Sequence, residues 1–351
     1  MNSVRELAKA LGLSHTTVSD ALRNKPRVKK ETRDRVLKAA KEAGYRHNPL
    51  AGALMSEMRR SGAGSFRGVL AVVDLESSDQ RVSAARRYHR EVYSGAEKMG
   101  QELGFKTEIF ALGAEGLTVA RLNTILKSRG IRGLLVLPAA TTPDIRNLDW
   151  DLYAGIYTDY IIEQPALDSV CSDHFRSMVV AMRKLEELGY QRPGLVLHRA
   201  HDQRLLYRWE AAYRIQNTRS ETFEALEPLV LEDVNEKSFK SWFEENGPDV
   251  VLSHRPDVLE WMEDMGANVP ETHGFCCLNV LMSEVPCSGL DLRPNLIGRR
   301  GIELLVGQLH RNAYGIPDTA STTTIPAIWI DGPTTRNVAE SDLQISKTSL
   351  S

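Results

Sequence analysis

The chain is poor in cysteine. Only Cys171, Cys276, Cys277 and Cys287 occur in 351 residues, and none shows the CxxC spacing of a zinc or redox site. They read as reduced, buried thiols, and no metal or cofactor is expected. His198 and His201 with Asp202 lack the helical two-turn spacing of a recognised metal site, and read as solvated or pocket-lining groups. Long apolar runs are also missing: none approaches the ~18 residues of a membrane span, so no membrane partner is expected. The first residues form a charged amphipathic pattern in place of a signal peptide's apolar core, which makes a cytoplasmic location the expectation. No GxSxG, P-loop or HExxH motif is present, and the glycines of GAGSFRG precede a strand instead of following one, the wrong context for a dinucleotide fold. Nothing in the chain calls for an enzyme.

The net charge of −2 hides a division. Residues 1–60 hold fourteen Lys and Arg against six Asp and Glu, net +8, and the remainder holds thirty against forty, net −10. A basic head on an acidic body is the pattern of nucleic-acid binding by the head alone, because cations there replace counterions along phosphate. The length suggests two or three folding units.

The head opens with VRELAKALGLSHTTVSDALRNKPRV, Val4 to Val28. Leu7, Ala8 and Leu11 fall at helical spacing, and Gly12 can take the left-handed turn that ends a helix. Leu13 can plug the turn, and Ser14 can cap a second helix whose Val18 and Leu22 pack back on the first. His15, Thr16 and Ser19 then face outward. The spacing predicts a third helix over 30–43, with Val36, Leu37 and Ala40 inward and Arg33, Arg35, Lys38 and Lys41 outward. Asn48 can cap a short helix that begins at Pro49 and carries Leu50, Ala53 and Leu54 on one face. Gly52 sacrifices about 1 kcal/mol relative to alanine, so this helix needs a partner.

From Phe66 the pattern changes to strands alternating with helices, as in parallel α/β sheets. Strands are expected at 68–74, 133–138, 154–158, 193–198, 226–231, 249–253, 273–279 and 323–330. Helices are expected at 84–103, 117–129, 174–188, 201–217, 236–246, 256–265 and 295–312. Two such series in succession resemble the periplasmic-binding-protein architecture, whose ligand lies in a cleft at the carboxyl ends of strands from both lobes.

The first three helices, the VSDAL core of the second, and the VKKETRDRVLKAAKEAGYRHNPLA run resemble the lactose-repressor (LacI/GalR) family of bacterial transcription regulators. The match is dense over about sixty residues and weaker beyond. The resemblance implies an all-α helix-turn-helix head over 1–46, a hinge helix and linker over 47–65, and a two-lobed effector-binding and dimerisation body over 66–337. The chain would cross between lobes near 160 and within 285–325, and end in a disordered tail, 338–351.

It also implies site residues. His15, Thr16 and Asp20 would lie over base edges, and Ser14, Thr17, Ser19, Arg23, Arg27 and Lys29 suit phosphate. Asp20 stands where the family commonly has arginine. It either accepts from cytosine N4 or pairs locally with Arg23 or Asn24. Lys29 replaces a usual capping serine, His47 a proline and Gly52 an arginine. Leu54 matches the apolar wedge that the family's hinge pushes into the minor groove. For an effector, Arg208 matches the family's arginine anchor, a guanidinium able to clamp hydroxyls or a carboxylate. Asn279 falls where an acidic pocket residue is usual, and Arg255 at a polar pocket position. Asp74, Ser77 and Thr141 follow first-lobe strands. Trp209, Tyr213, Trp242, Trp261 and Trp329 could stack on a sugar, although aromatics at helical spacing more often serve the core.

The expected function is a homodimeric repressor of a palindromic double-stranded DNA operator, controlled by a small polar effector, a sugar or sugar acid, in the cleft. Two alternatives stay open: a ligand-binding protein without DNA function, and a regulator with an orphan pocket.

Overall fold

A computed structural model of the chain describes residues 4–22, 28–42, 67–76, 83–139, 144–160 and 164–338. The expected hinge helix, linker and tail beyond Val338 lie outside the described residues, as do Arg23, Arg27, Asn48, Leu54, Ser77 and Thr141. The chain divides into two compact units, Met1–Arg67 with the short segment His310–Asn312, and the rest.

The head contains α1 (Val4–Leu11), α2 (His15–Leu22) and α3 (Lys30–Glu42). Gly12, at φ 67°, ends α1. The amide of Leu13 donates to the Ala8 carbonyl at 3.0 Å and that of Gly12 to Lys9 at 3.4 Å, the paired bonds that close a helix through a left-handed glycine. Ala8, Val18, Ala21, Val28, Val36 and Ala40 form the core, with Leu11, Leu13 and Leu22 partly buried against it. The sequence reading is corrected at Leu37, which is 45% exposed. Val36 and Ala40 are four apart and fill the narrow inward stripe, and Leu37 lies about 100° round the helix from Val36.

The body is built from two six-stranded sheets. The first lobe contains β1 (Gly68–Asp74), β2 (Phe105–Ala111), β3 (Gly133–Val136), β4 (Ala154–Tyr157), β5 (Asp168–Ser172) and β11 (Thr322–Ile325), in the order β11-β5-β4-β3-β1-β2, all parallel. The second contains β6 (Pro193–His198), β7 (Leu229–Leu231), β8 (Val250–Ser253), β9 (Gly274–Cys277), β10 (Gly289–Asp291) and β12 (Ile328–Ile330), in the order β12-β10-β9-β8-β6-β7, with β12 alone antiparallel to its neighbour.

Strands buried on both faces explain the unbroken apolar runs. In β1, Leu70 and Val72 enter one core cluster, while Ala71 and Val73 enter the cluster on the opposite face. In β6, Leu195 and Leu197 face one way and Val196 the other. Two first-lobe helices, α4 (Ser83–Glu102) and α11 (Pro294–Arg311), approach to backbone contact. A Cβ on Gly298 would fall 1.9 Å from the Val92 carbonyl oxygen, and one on Gly95 1.9 Å from that of Asn295. Only glycine admits so close a crossing.

The chain passes between lobes after β5, between β10 and α11, and between β11 and β12. The expected crossing near 160 therefore moves to residue 173, because β5, with sequence DSVCS, still belongs to the first sheet. The single strand expected at 323–330 is two strands, one in each lobe.

Candidate functional site

In the head, Ser14 caps α2. Its Oγ accepts from the Thr17 amide at 3.1 Å and lies 2.8 Å from Thr17 Oγ1. This leaves the first turn of α2 with a polar, exposed entry, suited to an anionic backbone. Lys29 is exposed immediately before α3, where its carbonyl accepts from the Arg33 amide at 3.0 Å. Arg35 does not stand free; its Nη2 donates to the last carbonyl of α1, Leu11, at 2.6 Å. The backbone of His15, Thr16 and Ser19 lies in α2, and their side chains are not described. Asp20, expected either over a base edge or paired locally, is buried at 4% exposure and has an interaction partner.

The body holds a cavity of about 410 Å³ between its lobes. The first lobe contributes Glu76, Tyr88, His89, Thr158, Asp159 and Ser172. The second contributes His174, His201, Arg204, Trp209, His254 and Asn279, with Leu278 and Met282 among the apolar wall. His174 opens α6 (His174–Glu187), and His201 and Arg204 lie on α7 (Arg199–Arg204), just after β6. His254 follows β8 and Asn279 follows β9. The site is thus assembled at the carboxyl ends of second-lobe strands.

Arg204 crosses the cleft. Its Nη2 donates to the Ala139 carbonyl at 3.0 Å and lies 3.3 Å from Asp159 Oδ2. A second bridge joins Arg87 of α4 to the carbonyls of Leu281, Met282 and Ser283, at 3.1, 3.4 and 3.4 Å, with Glu284 at 3.6 Å. His201 and His254 stack with ring centroids 4.2 Å apart and planes 3° from parallel. His174 meets the edge of Trp209 at 5.0 Å.

Burial keeps these imidazoles neutral. It is the main cause that brings His174 down to about 3, with His201, Arg208 and Arg204 adding to the effect. His201 falls to about 4 through burial and then Arg204 and His198. His254 lies well below the usual value, through burial and then His201, Arg255 and His198. Burial likewise raises the Cys171 thiol to about 12 and pushes the Tyr160 hydroxyl upward, leaving both protonated.

The sequence-based site residues separate on this geometry. Asn279 lines the cavity, its Oδ1 also accepting from the Leu281 amide at 3.2 Å. Arg208 opens α8 (Arg208–Arg219) and does not line the cavity; its guanidinium lies 4.4 Å over the Tyr160 ring. Arg255 is corrected more strongly. Its guanidinium grips Asp257, donates to the Val234 carbonyl and lies 5.1 Å over Trp261, so it is committed away from the cavity wall. Asp74 is buried and accepts from the Glu76 amide at 3.2 Å, and Glu76 takes the wall position. Of the five aromatics, Trp209 alone lines the cavity. Tyr213 is a core residue bonded to the Pro193 carbonyl at 2.8 Å.

Asp202 also gains a defined role. The one helix expected over 201–217 is broken by Leu206 and Tyr207, both at positive φ, and fully buried Asp202 accepts from the Trp209 and Glu210 amides beyond the break at 3.1 and 3.2 Å. His89, Asp159, His174, Arg204 and His254 were missed in the sequence. For Asp159, His174 and His254 the signal that could have found them was polar residues at strand ends and first helical turns, the same rule that suggested Asn279; His89, inside α4, and Arg204, at the end of α7, carry no such signal. Among the described residues, no group of His, Cys, Asp and Glu could hold a metal ion, and no helix is long and apolar enough to cross a membrane.

Residues 3–48 match the family model described as bacterial regulatory proteins, lacI family. The HTH-type transcriptional regulator AglR of Rhizobium meliloti (strain 1021) is 55% identical over 49 residues, 14% of each chain. The HTH-type transcriptional regulator DegA of Bacillus subtilis (strain 168) is 23% identical over 192 residues, 54% of this chain and 52% of its own. The chain thus spans about a seventh and about half of these two relatives. Among solved structures, a transcriptional regulator CelR–cellobiose complex superposes with a TM-score of 0.54 at 19% identity, covering 95% of this chain and 100% of that one. The lac repressor dimer bound to operator and the anti-inducer ONPF gives 0.51 at 17%, covering 95% and 99%. These likenesses show the fold.

Proposed function

We propose, for a chain whose residues 3–48 are a lacI-family helix-turn-helix domain and whose body has the two-lobed fold of that family's regulators, that it is a DNA-binding transcriptional regulator switched by a small molecule in its cleft. The observation that carries the reading is the joining of a basic, Ser14-capped helix-turn-helix to an acidic body with a walled interlobe cavity. In this reading the protein is a homodimeric repressor on a palindromic operator, since two heads on one site share a single entropic cost.

His15 and Thr16 reach base edges; Ser14, Thr17, Ser19, Arg23, Arg27 and Lys29 hold phosphates; and Asn48 and Leu54 belong to a hinge formed on DNA. Asp20 acts through the packing of α2. The ligand acts by linkage: an effector that prefers the lobe arrangement incompatible with tight DNA binding must weaken that binding, and DNA must weaken the effector's binding equally.

The test is fluorescence anisotropy of a labelled DNA duplex titrated with the full chain at rising salt. Binding that falls steeply, by about 10³-fold or more between roughly 50 and 200 mM salt, supports six or more phosphate contacts. Absence of binding at the lowest salt would leave the chain a ligand-binding protein alone.

A further inference from the structure

We infer that Cys287 and Cys277 form a peroxide-reactive dithiol: Cys287 is the sulfur oxidised first, and Cys277 resolves it into a disulfide between the end of β9 and the entry to β10.

The backbone brings the two side chains together. Cys277 is the last residue of β9, and Cys287 comes two residues before β10, whose Gly289 stands opposite Cys277. The Cys277 amide donates to the Ser288 carbonyl at 2.9 Å. The chain is pressed close on both sides of this pair: a Cβ on Gly289 would fall 2.0 Å from the Cys277 carbonyl oxygen, and one on Gly332 2.4 Å from the carbonyl carbon of Cys287. Ser288 is fixed in turn, its amide donating to Thr334 Oγ1 and its hydroxyl to the Gly332 carbonyl, both at 2.9 Å. Both thiols enter the same core cluster of the second lobe and hydrogen-bond each other. Cys276 enters the cluster on the opposite face of the sheet, since successive side chains of a strand alternate. Cys171 lies in β5 of the first lobe.

The pair is asymmetric. The hydrogen bond from Cys277 is the largest influence on Cys287 and lowers its pKa; burial opposes it and Ser283 adds to it. The same bond, and then burial, holds Cys277 well above an ordinary thiol. Cys287 is thus the nucleophile, because the thiolate is the form that attacks peroxide. It is also the more accessible sulfur-bearing residue, 6% exposed and following the exposed Glu284, Val285 and Pro286, whereas Cys276 and Cys277 are fully buried. Burial raises the Cys171 thiol to about 12 and pushes Cys276 upward as well, so both stay protonated.

Hydrogen peroxide is the oxidant. The Cys287 thiolate attacks one peroxide oxygen, the O–O bond breaks, hydroxide leaves, and Cys287 becomes a sulfenic acid. That hydroxide takes the Cys277 proton and becomes water. The Cys277 sulfur then attacks the Cys287 sulfur: the S–S bond forms, the S–O bond breaks, and the departing hydroxide takes up the proton Cys287 had released, giving a second water. Two electrons pass from the sulfurs to the peroxide, and a dithiol reductant returns them.

The bond would close a loop with consequences for the cleft. Residues 278–286, between the two sulfurs, include Leu278, Asn279 and Met282 of the cavity wall and the carbonyls of Leu281, Met282 and Ser283 that Arg87 holds from the other lobe. The Cys277 thiol also lies 3.1 Å from the Asn279 carbonyl, to which it can donate only while reduced. Oxidation removes that donor and ties the loop at its base, so redox state reaches the cavity wall and one of the bridges between the lobes. Formation of the bond does not depend on what the cavity binds.

The test uses the full chain, reduced, freed of reductant, treated with a small molar excess of hydrogen peroxide, unfolded in an alkylating maleimide and digested at glutamate. Cleavage at Glu284 separates Cys277 from Cys287, so the disulfide is read as two peptides held together, about 2 Da lighter than their reduced sum, with fragmentation assigning the sulfur. The expected result is this linked pair without a covalent dimer on a non-reducing denaturing gel, with Cys171 and Cys276 alkylated and the link reversed by dithiothreitol. Cys277→Ala should leave a dimedone-reactive sulfenic acid at Cys287, and Cys287→Ala should slow oxidation of Cys277 at least about tenfold. Urea unfolding of each variant reports whether it is folded. Amide exchange over 279–284 should differ at least about threefold between the reduced and oxidised chain.

Four alkylatable thiols after peroxide, a covalent dimer, or a link through Cys276 or Cys171 would overturn the inference. So would oxidation of Cys277 at the wild-type rate in Cys287→Ala. Unchanged exchange over 279–284 would overturn the connection to the cavity wall.

Discussion

Acidification should destabilise the body through His174 by an amount that can be isolated. In an unfolded chain a histidine titrates near 6.5. In the fold, burial first, and then His201, Arg208 and Arg204, hold this imidazole down at about 3. The folded protein therefore keeps His174 neutral while the unfolded chain binds a proton below pH 6.5. Stability from this group is complete above that value and is lost as pH falls toward the folded value. At about pH 5 the loss is about 2 kcal/mol. It hardly depends on the folded value, because that value lies far below the working pH. The assay is urea unfolding followed by tryptophan fluorescence, to which Trp209, edge-on to the ring, contributes. Wild type should lose about 2 kcal/mol more than His174→Asn between about pH 7.5 and pH 5. His201 and His254 titrate in both proteins and largely cancel. Equal losses in the two proteins would refute the buried, neutral assignment.

Other perturbations address other parts of the molecule. Gly298→Ala drives a methyl into the Val92 carbonyl, and should cost at least the 1–3 kcal/mol of a typical overpacked site, read as a lower urea midpoint of the body. Ser14→Ala removes the cap of α2 and should destabilise the head by about 1 kcal/mol, seen in hydrogen exchange of α2 amides before any change in the body. Arg87→Ala removes the donor to three carbonyls at residues 281–283; faster amide exchange through 280–284 is expected, with exchange in β1 unchanged. Asp20→Ala should lower head stability while leaving the preferred DNA sequence unchanged, and an altered consensus would restore a direct role in base reading.

Where side chains obey a simple period, the fold was legible from the residues. Gly12 and Ser14 mark the turn between α1 and α2 through local chemistry alone, and the doubly buried runs of β1, β3, β6 and β8 stand out as strands. The short β5 and β10 do not, since Ser, Cys, Gly and Asp carry little strand signal and their order comes from neighbouring strands. The break at Leu206 and Tyr207 is hidden for a related reason: neither residue favours positive φ, and the break is held by Asp202 and its bonds to amides seven and eight residues on.

The cavity was half legible. Strand ends pointed to Asn279, but the same rule promoted Arg255, and only three-dimensional contact reveals that Asp257 and the Val234 carbonyl claim its guanidinium. Arg204 and the second-lobe histidines His174, His201 and His254 are spread over eighty residues, and their convergence is a property of the strand order, which no local pattern encodes.

Selection of binding sites from a random duplex pool by the full chain tests the central claim most directly. A sequence-specific dimeric regulator predicts a two-fold symmetric consensus, bound at least about 10³-fold more tightly than scrambled duplex at the same salt. A pool that returns without a consensus, or a consensus lacking symmetry, would contradict the account.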